Sequence, residues 1–188
     1  APGGGSVAAL SGALGAALGT MVANLSISKA GFEDYKDKLT EIAKKGQFTK
    51  DELVKAIDDD TNAFDEVIKA MRMPKDTDEE KENRNIEMQK GYQSATLVPL
   101  KTVENCRDSL EICKSISEIM DEGMASDVGS GALMANAGAI AAAYNVRINL
   151  RSIKNEKFLL DVKNNLDELL KECNQLLTIV TKNVEKYL

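Results

Sequence analysis

The chain has 188 residues, 43% hydrophobic and 29% charged, with a formal net charge of −6, which is the profile of one soluble globular domain over residues 1–188. The acidic balance speaks against a nucleic-acid partner, since that affinity comes from Lys and Arg neutralising phosphates. Histidine is absent, which excludes Ser-His-Asp and Cys-His catalysis and leaves no expected metal site. Acid–base chemistry must then use carboxylates, Lys, Tyr, Cys or water.

Apolar residues recur at three- and four-residue steps almost everywhere, so the expectation is an all-α bundle of about six or more helices and no strands. The first helix, over 6–26, carries no charge and is built from Ala, Gly and Ser, with Gly12, Gly15 and Gly19 giving it a nearly flat face. Glycine costs about 1 kcal/mol per helical position relative to Ala, so three of them make sense where another backbone packs close. The segment is long enough to cross a bilayer, but small residues with Thr20 and Asn24 gain little from lipid. A buried core helix and no membrane association are expected.

A second helix, over 32–45, is expected to end at Gly46 as a C-terminal cap. Thr49 then caps a third, over 50–71, which Pro74 stops. Thr77 with Glu80 forms a capping-box pattern for a fourth helix, which Pro99 is expected to kink or break near Leu97 before a further helix runs to about 120. Ser126 or Asp127 caps a second charge-free helix over 128–150. The last helix, over 156–187, carries a stripe including Leu159, Val162, Leu166, Leu169 and Cys173. The two uncharged helices are expected at the centre, wrapped by the amphipathic ones, with part of their surface left for a second subunit in a homodimer.

Five features could carry chemistry. In the third helix Leu53, Ile57, Phe64, Val67 and Met71 mark an apolar stripe, and Asp60 fills its one gap while Asp58 and Asp59 turn away. A carboxyl on an apolar face is costly unless it is paired or used, and general acids near neutral pH are often of this kind. A buried salt bridge or a cap for another helix would explain it equally. Gly3, Gly4, Gly5 and Ser6 precede the first helix, where free backbone N–H groups and the helix dipole favour a negatively charged ligand; a plain turn is the alternative. Asn145 and Asn149 share one face of the second uncharged helix, suited either to a ligand rich in donors and acceptors or to helix–helix contacts. Asp127 lies on that face as well, but at 1.5 Å per residue it is ~27 Å from Asn145, which fits a helix cap better than a shared site. Lys75 follows the third helix and Arg147 sits near the end of the sixth, where cations complement helix dipoles or hold a carboxylate. Ser26 to Lys29 matches SxxK but ends a helix, the wrong place for that motif's nucleophile. The cysteines Cys106, Cys113 and Cys173 form no CxxC pair. They read as core residues, and their odd number suits a reducing, cytoplasmic setting.

Taken in order, Pro2-Gly3-Gly4-Gly5-Ser6, Met21 to Leu25, Asp60-Thr61-Asn62-Ala63-Phe64, Pro74-Lys75-Asp76-Thr77, Ala95 to Leu100, Ser126-Asp127-Val128 and Asn145 to Leu150 resemble the formiminotetrahydrofolate cyclodeaminase / methenyltetrahydrofolate cyclohydrolase family, in its stand-alone form, over nearly the whole chain. The resemblance implies an all-helical dimer whose cleft, lined by these motifs, binds a tetrahydrofolate derivative, with no cofactor beyond that substrate. It implies chemistry at the one-carbon unit between N5 and N10, with Asp60 as the proton donor. On this reading Gly3 to Ser6 contact substrate through backbone N–H groups, Asn145 and Asn149 orient the pterin, and Lys75 and Arg147 hold the glutamate tail, which can be polyglutamylated. Asp127 also falls on one of the family's cleft motifs. The family pattern also has a helix before the Pro-Gly turn and a few residues between Gly123 and Met124 that this sequence lacks. A non-catalytic folate-binding scaffold is the competing reading; Asp60 speaks against it.

Overall fold

The computed structural model describes residues 3–188, and Pro2 lies outside them. Five long helices follow in order, α1 (Gly4–Ile27), α2 (Lys36–Met71), α3 (Asp78–Ser117), α4 (Ala125–Leu150) and α5 (Glu156–Val184), with short 3-10 turns at Glu33–Tyr35, Glu122–Met124 and Glu185–Tyr187. There is no strand among the described residues. The all-helical expectation stands, but the count falls to five because two expected interruptions are absent.

The first is at Gly46, which lies inside the 36-residue α2 rather than at a helix end. A Cβ there would overlap the Thr20 hydroxyl of α1, so the glycine permits close helix contact and terminates nothing. Thr49, expected as a cap, is likewise buried within α2. The second is at Pro99, which α3 passes through without a break over its 40 residues. Other boundaries follow local signals. The Thr77–Glu80 capping box forms in both directions, and Asn155 caps α5 by accepting from the N–H of Phe158. Neither Ser126 nor Asp127 caps α4; the 3-10 turn at Glu122–Met124 leads into it, and Asp127 sits in its first turn.

The two Ala/Gly-rich helices, the uncharged α1 and α4 with charges only at Asp127 and Arg147, pack antiparallel along their small-residue faces. Gly15 meets the carbonyl of Gly131, Gly138 meets the backbone of Ala8 and Gly12, and Gly4 meets Asn145. The Ser11 hydroxyl crosses the seam to donate to the carbonyl of Met134 at 2.7 Å. Although α1 is long and apolar enough to cross a membrane, its Gly/Ala face is spent on these contacts and on α2 and α3. One core runs through the molecule, from Leu39, Leu53, Val103 and Leu110 to Val128, Val146, Leu166 and Val180. The Ala/Gly-rich pair packs against the other helices on one side and leaves part of its surface open. Val7, Leu10, Leu14 and Leu25 of α1 and Leu133, Ile140, Tyr144 and Ile148 of α4 remain exposed.

Candidate active site

The start of α1, the middle of α2 and the end of α4 converge at one end of the bundle, where a cavity of about 400 Å³ opens. Gly3 and Gly4 line it from α1's N-terminus. Asp60, Thr61, Phe64 and Asp65 line it from α2, Ala95 from α3, and Asn145, Ile148 and Asn149 from α4. Thus Asp60, Gly3, Gly4, Asn145 and Asn149, which lie far apart in sequence, share one site.

Asp60 is half-buried rather than enclosed. Its Oδ2 accepts from the backbone N–H of Ser6 at 2.9 Å and from the Ser6 hydroxyl at 3.2 Å, while that hydroxyl also lies 3.1 Å from the carbonyl of Ile57. The first four N–H groups of a helix have no partner inside it, and α1 has no side-chain cap from its own N-cap residue Gly3. Asp60 satisfies one of them from α2, where the helix dipole also favours a negative group. One oxygen therefore caps α1; Oδ1 accepts no hydrogen bond among the described residues, which leaves it for a ligand. Gly5 enforces this closeness, since a Cβ on residue 5 would collide with the Asp60 carboxylate. Gly5 and Ser6 thus fix Asp60 rather than line the cavity.

Across the cavity, Asn145 donates its amide to the carbonyl of Ala141 at 2.9 Å, and Asn149 donates to the carbonyl of Ala95 at 2.8 Å. Each bond fixes the amide nitrogen on the protein and leaves the side-chain oxygen as an acceptor. The Ala95 carbonyl is open because its regular helical donor, four residues on, would be residue 99, and proline has no N–H.

Phe64, expected in the core stripe, is instead 57% exposed at the cavity wall. The buried face of α2 keeps Leu53 and Val67 of the expected stripe but runs through Ala56, Ala63 and Ala70 in place of Ile57, Phe64 and Met71, one position earlier in each case. The small alanines were the hidden signal. Asp65, Thr61, Ala95 and Ile148 are further lining residues that periodicity did not single out.

Three expected residues lie elsewhere. Asp127 is at the far end of the uninterrupted α4. Lys75 is exposed in the turn after α2 and does not line the cavity. Arg147 points away from Asn145 on α4, into a neighbouring groove of about 430 Å³ that it shares with Arg151, Lys163 and Asp167; the Arg147–Asp167 separation is 3.9 Å. The cysteines take no part. All three are free and buried, and burial pushes the thiols of Cys113 and Cys173 up to about 12, with Cys106 raised further. They stay protonated at neutral pH and supply no nucleophile.

A carboxylate with one free oxygen, two amide oxygens and a glycine-lined helix N-terminus around one cavity can exchange a proton with, and orient, a flat polar ligand. Known proteins are similar to this chain in sequence and in fold. The chain is 37% identical to a methenyltetrahydrofolate cyclohydrolase of Methylorubrum extorquens over 93% of its own length and 84% of that protein's. It is also 37% identical to the formimidoyltransferase-cyclodeaminase of Gallus gallus over 99% of its length, but spans only 34% of that longer protein. A crystal structure of formiminotetrahydrofolate cyclodeaminase from Thermotoga maritima superposes with a TM-score of 0.88 at 27% identity, covering 98% of this chain and 88% of that one. The family model for formiminotransferase-cyclodeaminase matches residues 1–168, taking in every element of the cavity, and the chain belongs to that family.

Proposed function

We propose that this protein is a folate one-carbon enzyme acting at the N5/N10 unit of tetrahydrofolate, converting 5-formiminotetrahydrofolate to 5,10-methenyltetrahydrofolate and ammonia. The observation that carries the reading is the Asp60 carboxyl at the cavity wall, held by Ser6 through Oδ2 while Oδ1 accepts no hydrogen bond among the described residues. In cyclodeamination N10 attacks the formimino carbon, giving a tetrahedral centre bearing N5, N10 and an amino group. The proton leaving N10 and the proton entering the amino group both pass at this centre. Only as ammonia does the amino nitrogen depart readily, so a positioned acid in reach lowers the barrier. Asp60 is that group, and Asn145 and Asn149 accept from the N–H groups of the pterin. Gly3 and Gly4 let the substrate approach the backbone. No cofactor beyond the folate is needed.

A second reading is favoured by the Methylorubrum relative, whose name is a cyclohydrolase: water adds to the methenyl carbon, a proton leaves, and the ring opens to the 10-formyl product. Both reactions use one tetrahedral carbon and one proton-transfer group. The absorbance of methenyltetrahydrofolate separates them. Its appearance with ammonia from the formimino substrate marks the cyclodeaminase, and its accelerated loss marks the cyclohydrolase. A protein that accelerates neither, yet gains thermal stability with tetrahydrofolate, is a binding scaffold instead.

For the substrate's glutamate tail, the groove between α4 and α5 offers the cations Arg147, Arg151 and Lys163 against the single acid Asp167. Lys75 has no such groove. The free buried cysteines support a cytoplasmic setting. The open apolar face supports a homodimer: Val7, Leu10 and Leu14 on α1 and Ile140, Tyr144 and Ile148 on α4 recur at three- and four-residue steps, with Leu133 seven residues before Ile140. No charge interrupts either helix between these residues except Arg147. Such faces on two adjacent helices suit an isologous two-fold contact. Sedimentation is expected to give a dimer for the wild type and a monomer for Leu14→Glu/Ile140→Glu; a wild type that stays monomeric at micromolar concentration would remove the dimer.

A further inference from the structure

Pro99 stands in the middle of a 40-residue helix, where a proline ordinarily costs ~3 kcal/mol relative to Ala. The structure gives this cost a use. The helical partner of the Ala95 carbonyl would be the N–H of residue 99, and proline has none. The freed carbonyl takes the Nδ2 of Asn149 at 2.8 Å instead. Ala95 and Asn149 both line the cavity, and Pro99 itself is buried behind them. We infer that Pro99 is a positioning residue for the active site: by vacating the Ala95 carbonyl it anchors the Asn149 amide and turns the Asn149 oxygen toward the substrate.

Alternatives account for less. A proline serving only to kink α3 would need no side-chain donor at that carbonyl, and α3 continues through Thr102 and Val103 without a break. Thr96 and Thr102 bond carbonyls four residues behind them, at Tyr92 and Val98, so local hydroxyls occupy the neighbouring carbonyls while Ala95 is left to a residue 54 positions away. The selection of the Asn149 nitrogen as donor also fixes the orientation of its amide, which decides whether the cavity sees an acceptor or a donor.

The inference rests on the folate-enzyme reading for its catalytic consequence and on nothing but geometry for its structural one, so the test has two arms. In Pro99→Ala the N–H gained at position 99 competes for the Ala95 carbonyl, and α3 gains a better helix former. The expected result is a Tm no lower than wild type with kcat/KM down about 10- to 100-fold, the scale of a misplaced orienting group. Asn149→Ala should lose at least as much, and the double variant no more than Asn149→Ala alone, because both act through one contact. In the second arm, NMR of the free protein should show the Asn149 side-chain amide protected from solvent exchange in wild type and exposed in Pro99→Ala. Persistent protection of that amide in the variant, kcat/KM within twofold of wild type, or multiplying effects of the two substitutions would each overturn the inference. A wild type without turnover would sink the folate reading, and the amide signals would still decide whether Pro99 places Asn149.

Discussion

Asp60→Asn is expected to lower kcat by about 10²- to 10⁴-fold, the range that a positioned acid or base contributes, while the protein stays folded. The two halves of this expectation come from the two oxygens of one side chain. Oδ2 receives the Ser6 N–H and hydroxyl, and an asparagine oxygen still accepts both bonds without the charge that strengthens them, so the cap on α1 survives in weaker form. What disappears is the carboxyl's capacity to exchange a proton with the substrate. Circular dichroism and Tm should therefore match wild type closely, and KM should change far less than kcat, since the amide still fills the same volume. Ser6→Ala is the informative companion. It removes the hydroxyl bond but keeps the backbone N–H bond, so it should cost much less than Asp60→Asn. Equal activity of Asp60→Asn and wild type would reduce Asp60 to a helix cap, and the search for the proton donor would move to Asp65 in the same cavity.

Two glycine-to-alanine substitutions should have opposite signs. A Cβ on Gly138 would lie 2.8 Å from the Ala8 carbonyl and 2.9 Å from the Gly12 nitrogen. Both are backbone atoms of α1 and cannot step aside, so α1 must move as a body. The overpacking costs up to about 3 kcal/mol and the helix propensity of Ala returns about 1 kcal/mol, for a net loss of about 1–2 kcal/mol and a Tm drop of roughly 2–8 °C for a chain of this size. Because α1 also carries Ser6 and Gly4, turnover should fall with stability. At Gly91 the nearest atoms to a Cβ are 3.4 Å away on Val67, an ordinary contact, so Gly91→Ala should leave Tm unchanged or raise it. A Gly138→Ala protein as stable and active as wild type would mean that the α1–α4 seam has slack that its contacts do not show.

These positions mark what the sequence could reveal. Signals contained within one helix were readable: the Thr77–Glu80 box, the Ala/Gly-rich composition of α1 and α4, and the odd placement of Asp60 among apolar neighbours. The cavity partners of Asp60 became readable only through the ordered set of motifs, since nothing in the spacing of Gly3, Asp60 and Asn145 brings them together. Features whose cause sits on another helix were misread. Gly46 looks like a terminator until Thr20 is seen against it, and Pro99 looks like a break until Asn149 is seen bonded to the carbonyl it frees. Phe64 looks like core because large apolar residues dominate a periodicity, whereas the buried face of α2 there is made of alanine and valine.

The pairing of α1 with α4 also bears on how the chain comes into being. Ser11 and Met134, joined across the seam, are 123 residues apart, and synthesis at 5–20 residues per second separates their emergence by roughly 6–25 s. During that interval α1 can find α2 and then α3, but the glycine face meant for α4 has no occupant. The helix whose N-terminus lines the cavity and is capped by Asp60 is therefore completed late, when α4 arrives. A chain truncated before α4 should present that bare, uncharged face to chaperones and to other nascent chains, so the same small-residue surface that makes the finished core tight is the point at which its biogenesis is most exposed.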